Sequence, residues 1–130
     1  MTPIQVAVEP LELPLVHTFT ITRSSASIAR TALVRLHWNG IAALGESSPT
    51  RRYHESVESV AAALSDRDLG DDPYAIERLL DGLSPAQMCG LDIALHDCIG
   101  KDLGRPLWQL LGLDPARTPL TSFTIGIAPL

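Results

Sequence analysis

The sequence predicts an α+β fold, a three-stranded antiparallel meander packed on a helical bundle, and three observations carry that expectation. Apolar residues alternate with a period of two in two stretches, Ile4 to Leu15 and Ala32 to Trp38, and one Asn-Gly pair marks a turn. From Val57 to Ile99 the spacing lengthens to that of helices. The strand signals precede the helix signals, apart from one short stretch near the end, as in α+β units.

The first strand reads in two halves. Ile4, Val6 and Val8 alternate with Gln5, Ala7 and Glu9, and beyond Pro10 the apolar set moves to Leu11, Leu13 and Leu15. The change of parity predicts a bulge or bend near Pro10. HTFTITRSSASIAR follows, rich in Ser and Thr and poor in large apolar residues after Ile21, which predicts an exposed, mobile loop. TALVRLHW then puts Ala32, Val34, Leu36 and Trp38 on one face, and Asn39-Gly40 predicts a type I′ hairpin into IAALGE.

Val57, Val60, Ala61 and Leu64 form the stripe of a first helix. Asp72-Pro73 supplies an N-cap and a first-turn proline for a second, with Ile76, Leu79, Leu80 and Leu83 on its stripe. Ser84-Pro85-Ala86-Gln87 is a capping-box pattern opening a third. There Met88, Leu91, Leu95, Cys98 and Ile99 share a face while Cys89, Ile93 and Ala94 fill much of the rest, which predicts the central buried helix. Gly100 and Gly104 loosen its end, and PLWQLLG adds a short helical piece capped by Gly112. Thr121 to Ile127 reads as a short β-branched strand between Pro119 and Pro129, with no following strand to pair it.

Composition narrows the function classes. A chain of 130 residues, 45% hydrophobic and 19% charged, suits one folded domain. A net charge of −5, scattered basic residues, and only two Tyr and two Phe disfavour nucleic-acid binding. The N-terminus lacks the basic and apolar regions of a signal peptide and no apolar run approaches ~20 residues, so a cytoplasmic protein without membrane partners is expected. Cys89 and Cys98 lie nine positions apart, on opposite faces of a helix at ~100° per residue, and are expected to be reduced and buried. Neither has a Cys or His at the spacing of a metal site.

Sequence alone assembles no active site. His96 and Asp97 are helix neighbours that do not face each other, and a structural role is expected for both. His17, His37 and His54 lack partners at ligand spacing, and Glu46 is a lone carboxylate. Phosphate-cradling glycine loops and nucleophile elbows are missing from the sequence. Arg23 in the Ser/Thr-rich stretch, and Arg51, Arg52 and Tyr53 after the third strand, are more suggestive, because a guanidinium fork suits a small carboxylate.

LGES at Leu44 to Ser47, ALHDCIGKDLGRPLWQLLG at Ala94 to Gly112, and TSFTIGI in this order resemble the N-terminal part of the enolase superfamily, of the mandelate racemase/muconate lactonizing type. Within it the chain is most similar to dipeptide epimerases such as L-Ala-D/L-Glu epimerase. The resemblance implies a capping domain over residues 1–114, then a linker and the first strand of a TIM-type barrel over 115–130, with the barrel itself absent. It implies 1,1-proton transfer at a dipeptide α-carbon in a Mg²⁺-dependent parent, itself a candidate homo-oligomer, and no catalytic base or metal ligand in this chain, which is expected to be inactive by itself. By matching positions, Arg23, Thr124 and Tyr53 are the residues expected to meet the substrate. Muconate cycloisomerases and o-succinylbenzoate synthases share the motifs and are the alternative within the family. A stand-alone binding module is the alternative of another class.

Overall fold

The computed structural model describes residues 2–22, 24–125 and 127. Strands β1 (Gln5–Ile21), β2 (Ser24–Trp38) and β3 (Ile41–Ser47) are followed by helices α1 (Val57–Leu64), α2 (Ile76–Leu80), α3 (Pro85–Asp102) and α4 (Leu107–Leu110). Single 3₁₀ turns stand at Arg51–Tyr53 and Pro115–Arg117. The sheet is an antiparallel meander in the order β1-β2-β3, packed on the helices, which is the expected α+β architecture.

Trp38 pairs with Ile41 around Asn39 and Gly40, whose φ angles of 46° and 78° are the left-handed pair that a type I′ turn requires. From that hairpin Ala32, Val34 and Leu36 of β2 and Ala43 of β3 turn inward. They meet Val60 and Leu64 of α1, Leu79 of α2, and Leu91, Ala94, Leu95 and Cys98 of α3. The core thus lies between the β2–β3 half of the sheet and α3.

Pairing along β1 runs unbroken from Gln5↔His37 to Pro14↔Ile28, so the bulge expected near Pro10 is not there. The irregularity falls further on, where residues 15–18 lie opposite Ser27 alone. Ile4 N–H points away from β2 to donate to Gly70 O at 2.7 Å, and alternation gives Val6 to Pro14 at even positions the same outward aim. Pro10 and Pro14 therefore lack a donor only on the free edge, where a missing N–H costs no ladder bond and blunts edge pairing. The change of apolar parity needs no bend, because the core ends beneath Val8: Leu13 and Val16 are exposed.

The stretch expected to be a mobile loop is instead the far end of a two-stranded ribbon, pairing Phe19↔Ala26, Thr20↔Ser25 and Ile21↔Ser24. Thr20 Oγ1 and Ser25 Oγ lie 2.9 Å apart, a cross-strand hydroxyl pair. Nearer the core, Arg30 pairs with Glu12 and Arg35 with Glu9, each at 2.8 Å. With both faces of the ribbon tip in solvent, no apolar alternation marks it in the sequence.

The second helix starts later than Asp72-Pro73 suggests. Asp72 Oδ1 accepts from Tyr74 N–H at 3.0 Å and its carbonyl from Ala75 N–H at 3.4 Å, forming a turn over the buried Pro73 before Ile76 begins α2. Helix α3 opens as its capping pattern indicates, with Gln87 Oε1 accepting from Ser84 N–H at 2.9 Å. Two further bonds fix it: Glu55 Oε1 accepts from Ala86 N–H at 2.9 Å, and Ser47 Oγ donates to Ala86 O at 2.6 Å. Its burial is one-sided. Leu91, Leu95 and Cys98 are buried, whereas Met88, Ile93 and Cys89 are exposed, so the helix is central but buried on one side where most sides were expected, and one of the two thiols expected to be buried is not.

After α4 and Gly112 the chain passes the second 3₁₀ turn and runs without regular structure through residues 118–125. The strand expected at Thr121 to Ile127 is not formed: Phe123 and Ile125 are 90% and 88% exposed, and no ladder among the described residues takes up their backbone groups. Among the described residues of this stretch, Ile127 N–H reaches a backbone partner, Thr20 O, at 2.8 Å. Among the described residues no helix is long and apolar enough to cross a membrane.

Candidate functional site

Arg23 lies outside the described residues. Thr124 is exposed on the irregular segment, close in sequence to Ile127, whose amide bonds the ribbon tip at Thr20. The fold therefore brings the Thr124 segment to the end of the β1–β2 ribbon. Tyr53 is separate. It closes the first 3₁₀ turn, where Thr50 Oγ1 accepts from Arg52 N–H at 3.4 Å, and it stands 63% exposed with the Arg52 guanidinium 5.8 Å from its ring centroid. Among the described residues no hydrogen bond joins Tyr53 to Thr124. His54, next in line, takes a left-handed φ of 59° that ends the turn.

The His96-Asp97 pair divides between two tasks, and neither residue serves the other. His96 Nδ1 lies 3.0 Å from Asp92 O and 3.1 Å from Asp92 Oδ1, one turn back on α3. Asp97 Oδ2 accepts from Leu44 N–H at 2.8 Å and from Lys101 Nζ at 2.7 Å, while Lys101 Nζ also donates to Ala42 O at 2.8 Å. Odd residues of β3 face β2, so Ala42 and Leu44 present their backbone groups to the free edge. Asp97 and Lys101 close that edge with a carboxylate for its donor and an ammonium for its acceptor. Sequence reasoning missed this task and that of Glu55. An acid and a base four apart on a helix signal a pair, but not its reach to a strand.

A groove of about 630 Å³ runs along the outer side of α3 toward α4, lined by Asp92, Ile93, His96, Arg105, Leu107 and Leu111 among others. Together with Leu103, Trp108 and Leu113 it makes an apolar exposed surface. Two titrating groups are perturbed nearby. The Tyr74 hydroxyl donates to the Asp102 carboxylate, which pushes its pKa up to about 12. Burial, then the Asp102 and Asp97 carboxylates, push the Cys98 thiol up.

Among the described residues no three His, Cys, Asp or Glu side chains converge to hold a metal ion, so the donor set does not fit Mg²⁺. Glu46, His17, His37 and His54 are exposed and apart from one another in the fold. The described residues form a sheet–helix platform carrying an exposed ribbon end and an exposed Arg-Arg-Tyr turn.

Residues 3–112 match the model of the mandelate racemase / muconate lactonizing enzyme N-terminal domain. The L-Ala-D/L-Glu epimerase of Bacteroides thetaiotaomicron is 40% identical over 126 residues, which span 91% of this chain and 33% of that protein. The L-Ala-D/L-amino acid epimerase of Maribacter sp. is 32% identical over 97% of this chain and 40% of its own length. Among solved structures, the dipeptide epimerase of Methylococcus capsulatus, complexed with Mg and the dipeptide L-Arg-D-Lys, superposes with a TM-score of 0.82 at 32% identity over 99% of this chain and 40% of that one. The chain thus spans about a third to two-fifths of the length of these relatives.

Proposed function

The chain belongs to the mandelate racemase / muconate lactonizing enzyme family through that family's N-terminal domain, and from this premise we propose that it is the substrate-specificity portion of a dipeptide epimerase. The parent reaction is 1,1-proton transfer at the α-carbon of a dipeptide, in the cytoplasm. The observation that carries the reading is the 40% identity to an L-Ala-D/L-Glu epimerase along 91% of the chain. In this reading residues 115–130 hold the first strand of a barrel. That strand gains its ladder only when the other barrel strands close around it, which accounts for its unpaired state here. The apolar surface along α3 and α4 is of the kind that a second domain covers.

The work of this chain is binding and exclusion of water. Arg23 pairs with a substrate carboxylate, Thr124 lies beside the bound dipeptide, and Tyr53 approaches from the 3₁₀ turn. Closing the two exposed elements over the substrate removes water and strengthens those contacts. Mg²⁺ and the groups that move the proton come from the remainder of the parent, and the chain alone is inactive. Incubating the parent with dipeptides of varied C-terminal residue and following epimerisation by chiral separation tests the substrate class. Turnover of Glu-containing dipeptides is expected; turnover of muconate or of an o-succinylbenzoate precursor in their place would refute it.

A further inference from the structure

We propose that Ser47 and Glu55 are the positioning residues of the Arg51–Tyr53 turn, pinning both stems of the loop 48–54 to the peptide groups of one residue, Ala86. Ser47, the last residue of β3, donates its Oγ–H to Ala86 O at 2.6 Å, and Glu55 Oε1 accepts from Ala86 N–H at 2.9 Å. Both pins lie out of water: Ser47 is fully buried and Glu55 is 8% exposed. Ala86 is the second residue of α3, so its N–H is one of the first-turn donors that a helix leaves unpaired, and its carbonyl has a second lone pair beside the helix ladder.

Between the pins the loop gains little from packing. Ser48, Thr50 and every residue from Arg51 to His54 are exposed, and Pro49 is half-buried. Its internal bonds converge on Thr50, whose carbonyl accepts from Tyr53 N–H at 3.0 Å and from Glu55 N–H at 3.3 Å. Glu55 is thus fixed to α3 by its side chain and to the turn by its amide, and the backbone that carries Tyr53 is held from the buried side. A loop whose stems are fixed before a ligand arrives has less freedom to lose on binding. The inference rests on the reading of Tyr53 as a substrate contact, and it adds the two buried groups through which that contact is preorganised.

The test has two arms. ¹⁵N relaxation on the 130-residue chain gives order parameters for residues 50–54, which report the folded state and are not moved by a loss of stability alone. Values near about 0.85 are expected for the wild type and for Glu55→Gln, whose amide oxygen still accepts from Ala86 N–H, and values below about 0.6 for Glu55→Ala. Ser47→Ala, which removes only a hydroxyl, loosens the same residues and carries the test if Glu55→Ala does not fold. In the parent, Glu55→Ala raises KM for the dipeptide about three- to tenfold with kcat little changed, the cost of ordering one side chain at binding, and Glu55→Gln restores it. Order parameters already low in the wild type, or unchanged in both alanine variants, would overturn the inference, as would a loosened turn with unaltered KM. Failure of the epimerase reading shows elsewhere, as a wild-type parent that turns over no dipeptide, and leaves the order parameters to decide this one.

Discussion

Gly45 of β3 and Gly90 of α3 meet backbone to backbone: a β-carbon on Gly45 would lie 2.1 Å from Gly90 O and 2.7 Å from Ala94 N. A β-carbon on Gly90 would in turn lie 2.8 Å from Val34 Cγ2 and 3.0 Å from Ser47 Cβ. The seam between sheet and central helix therefore depends on two missing side chains, and this close approach is what lets Ser47, Asp97 and Lys101 reach across it.

Gly45→Ala pushes against main chain that cannot yield without separating β3 from α3, and its cost is expected at about 3 kcal/mol or more. Gly90→Ala presses on side chains and regains some helix propensity, so about 1–3 kcal/mol is expected. Gly112, with φ of 64° and open space around it, gives a reference in which only the backbone conformation is penalised, by about 1–2 kcal/mol. Urea midpoints of the three variants check the order. A Gly45→Ala variant no less stable than Gly112→Ala would show that the seam tolerates a methyl group.

Asp97→Ala strips the acceptor from Leu44 N–H and the partner from Lys101. Because the Asp97 side chain is 34% exposed, the expected loss is about 1–2 kcal/mol, toward the lower end for a charged hydrogen bond. Asp97→Asn, which keeps an oxygen for Leu44 N–H, should lose less. Exchange at the Leu44 amide is the local readout: faster in Asp97→Ala, close to wild type in Asp97→Asn. Unchanged exchange in both would remove Asp97 from the edge-closing role.

The parts of the fold that sequence revealed are those in which one face is buried. Ala32, Val34 and Leu36 alternate over a core, and Val60 with Leu64 repeats at helix spacing against it. The ribbon tip was illegible because Thr20 and Ser25 face water on both sides and carry no alternation. Helix α3 misled in the opposite sense, since apolar residues on its outer side, Ile93 among them, continue the helix pattern and yet are exposed. As for the site, Thr124 and Tyr53 are exposed on separate elements, and their candidacy rests on matching a family motif alone. The structural use of Asp97, Lys101 and Glu55 depends on contacts distant in sequence, which periodicity cannot report.

The two cysteines should separate in reactivity. Cys89 is exposed, while Cys98 is buried and its thiol is held more protonated than usual. A disulfide reagent at pH 8 should label one thiol in the native chain and two after denaturation. Rapid labelling of both without denaturant would mean that the core around Leu91 and Leu95 opens readily.

Replacing Arg23 by Met in the parent keeps much of the side-chain volume and removes the charged fork. If Arg23 pairs with a substrate carboxylate as proposed, loss of a charge-assisted hydrogen bond worth roughly 1.5–3 kcal/mol is expected to lower kcat/KM for a Glu-containing dipeptide about ten- to a hundredfold. If Arg23 reads the side-chain carboxylate, dipeptides ending in an uncharged residue lose much less. An equal loss for all dipeptides assigns it to the common α-carboxylate, and no loss for any removes it from the binding site.

The most direct measurement is solvent deuterium incorporation at the α-carbon of the Glu residue of L-Ala-L-Glu, followed by proton NMR with Mg²⁺ present, for the parent and for this chain separately. Exchange by the parent and none above the uncatalysed rate by the 130-residue chain is the expected result. Mg²⁺-dependent exchange by this chain alone, or a folded parent that leaves the dipeptide α-proton untouched, would contradict its assignment as the specificity portion of a dipeptide epimerase.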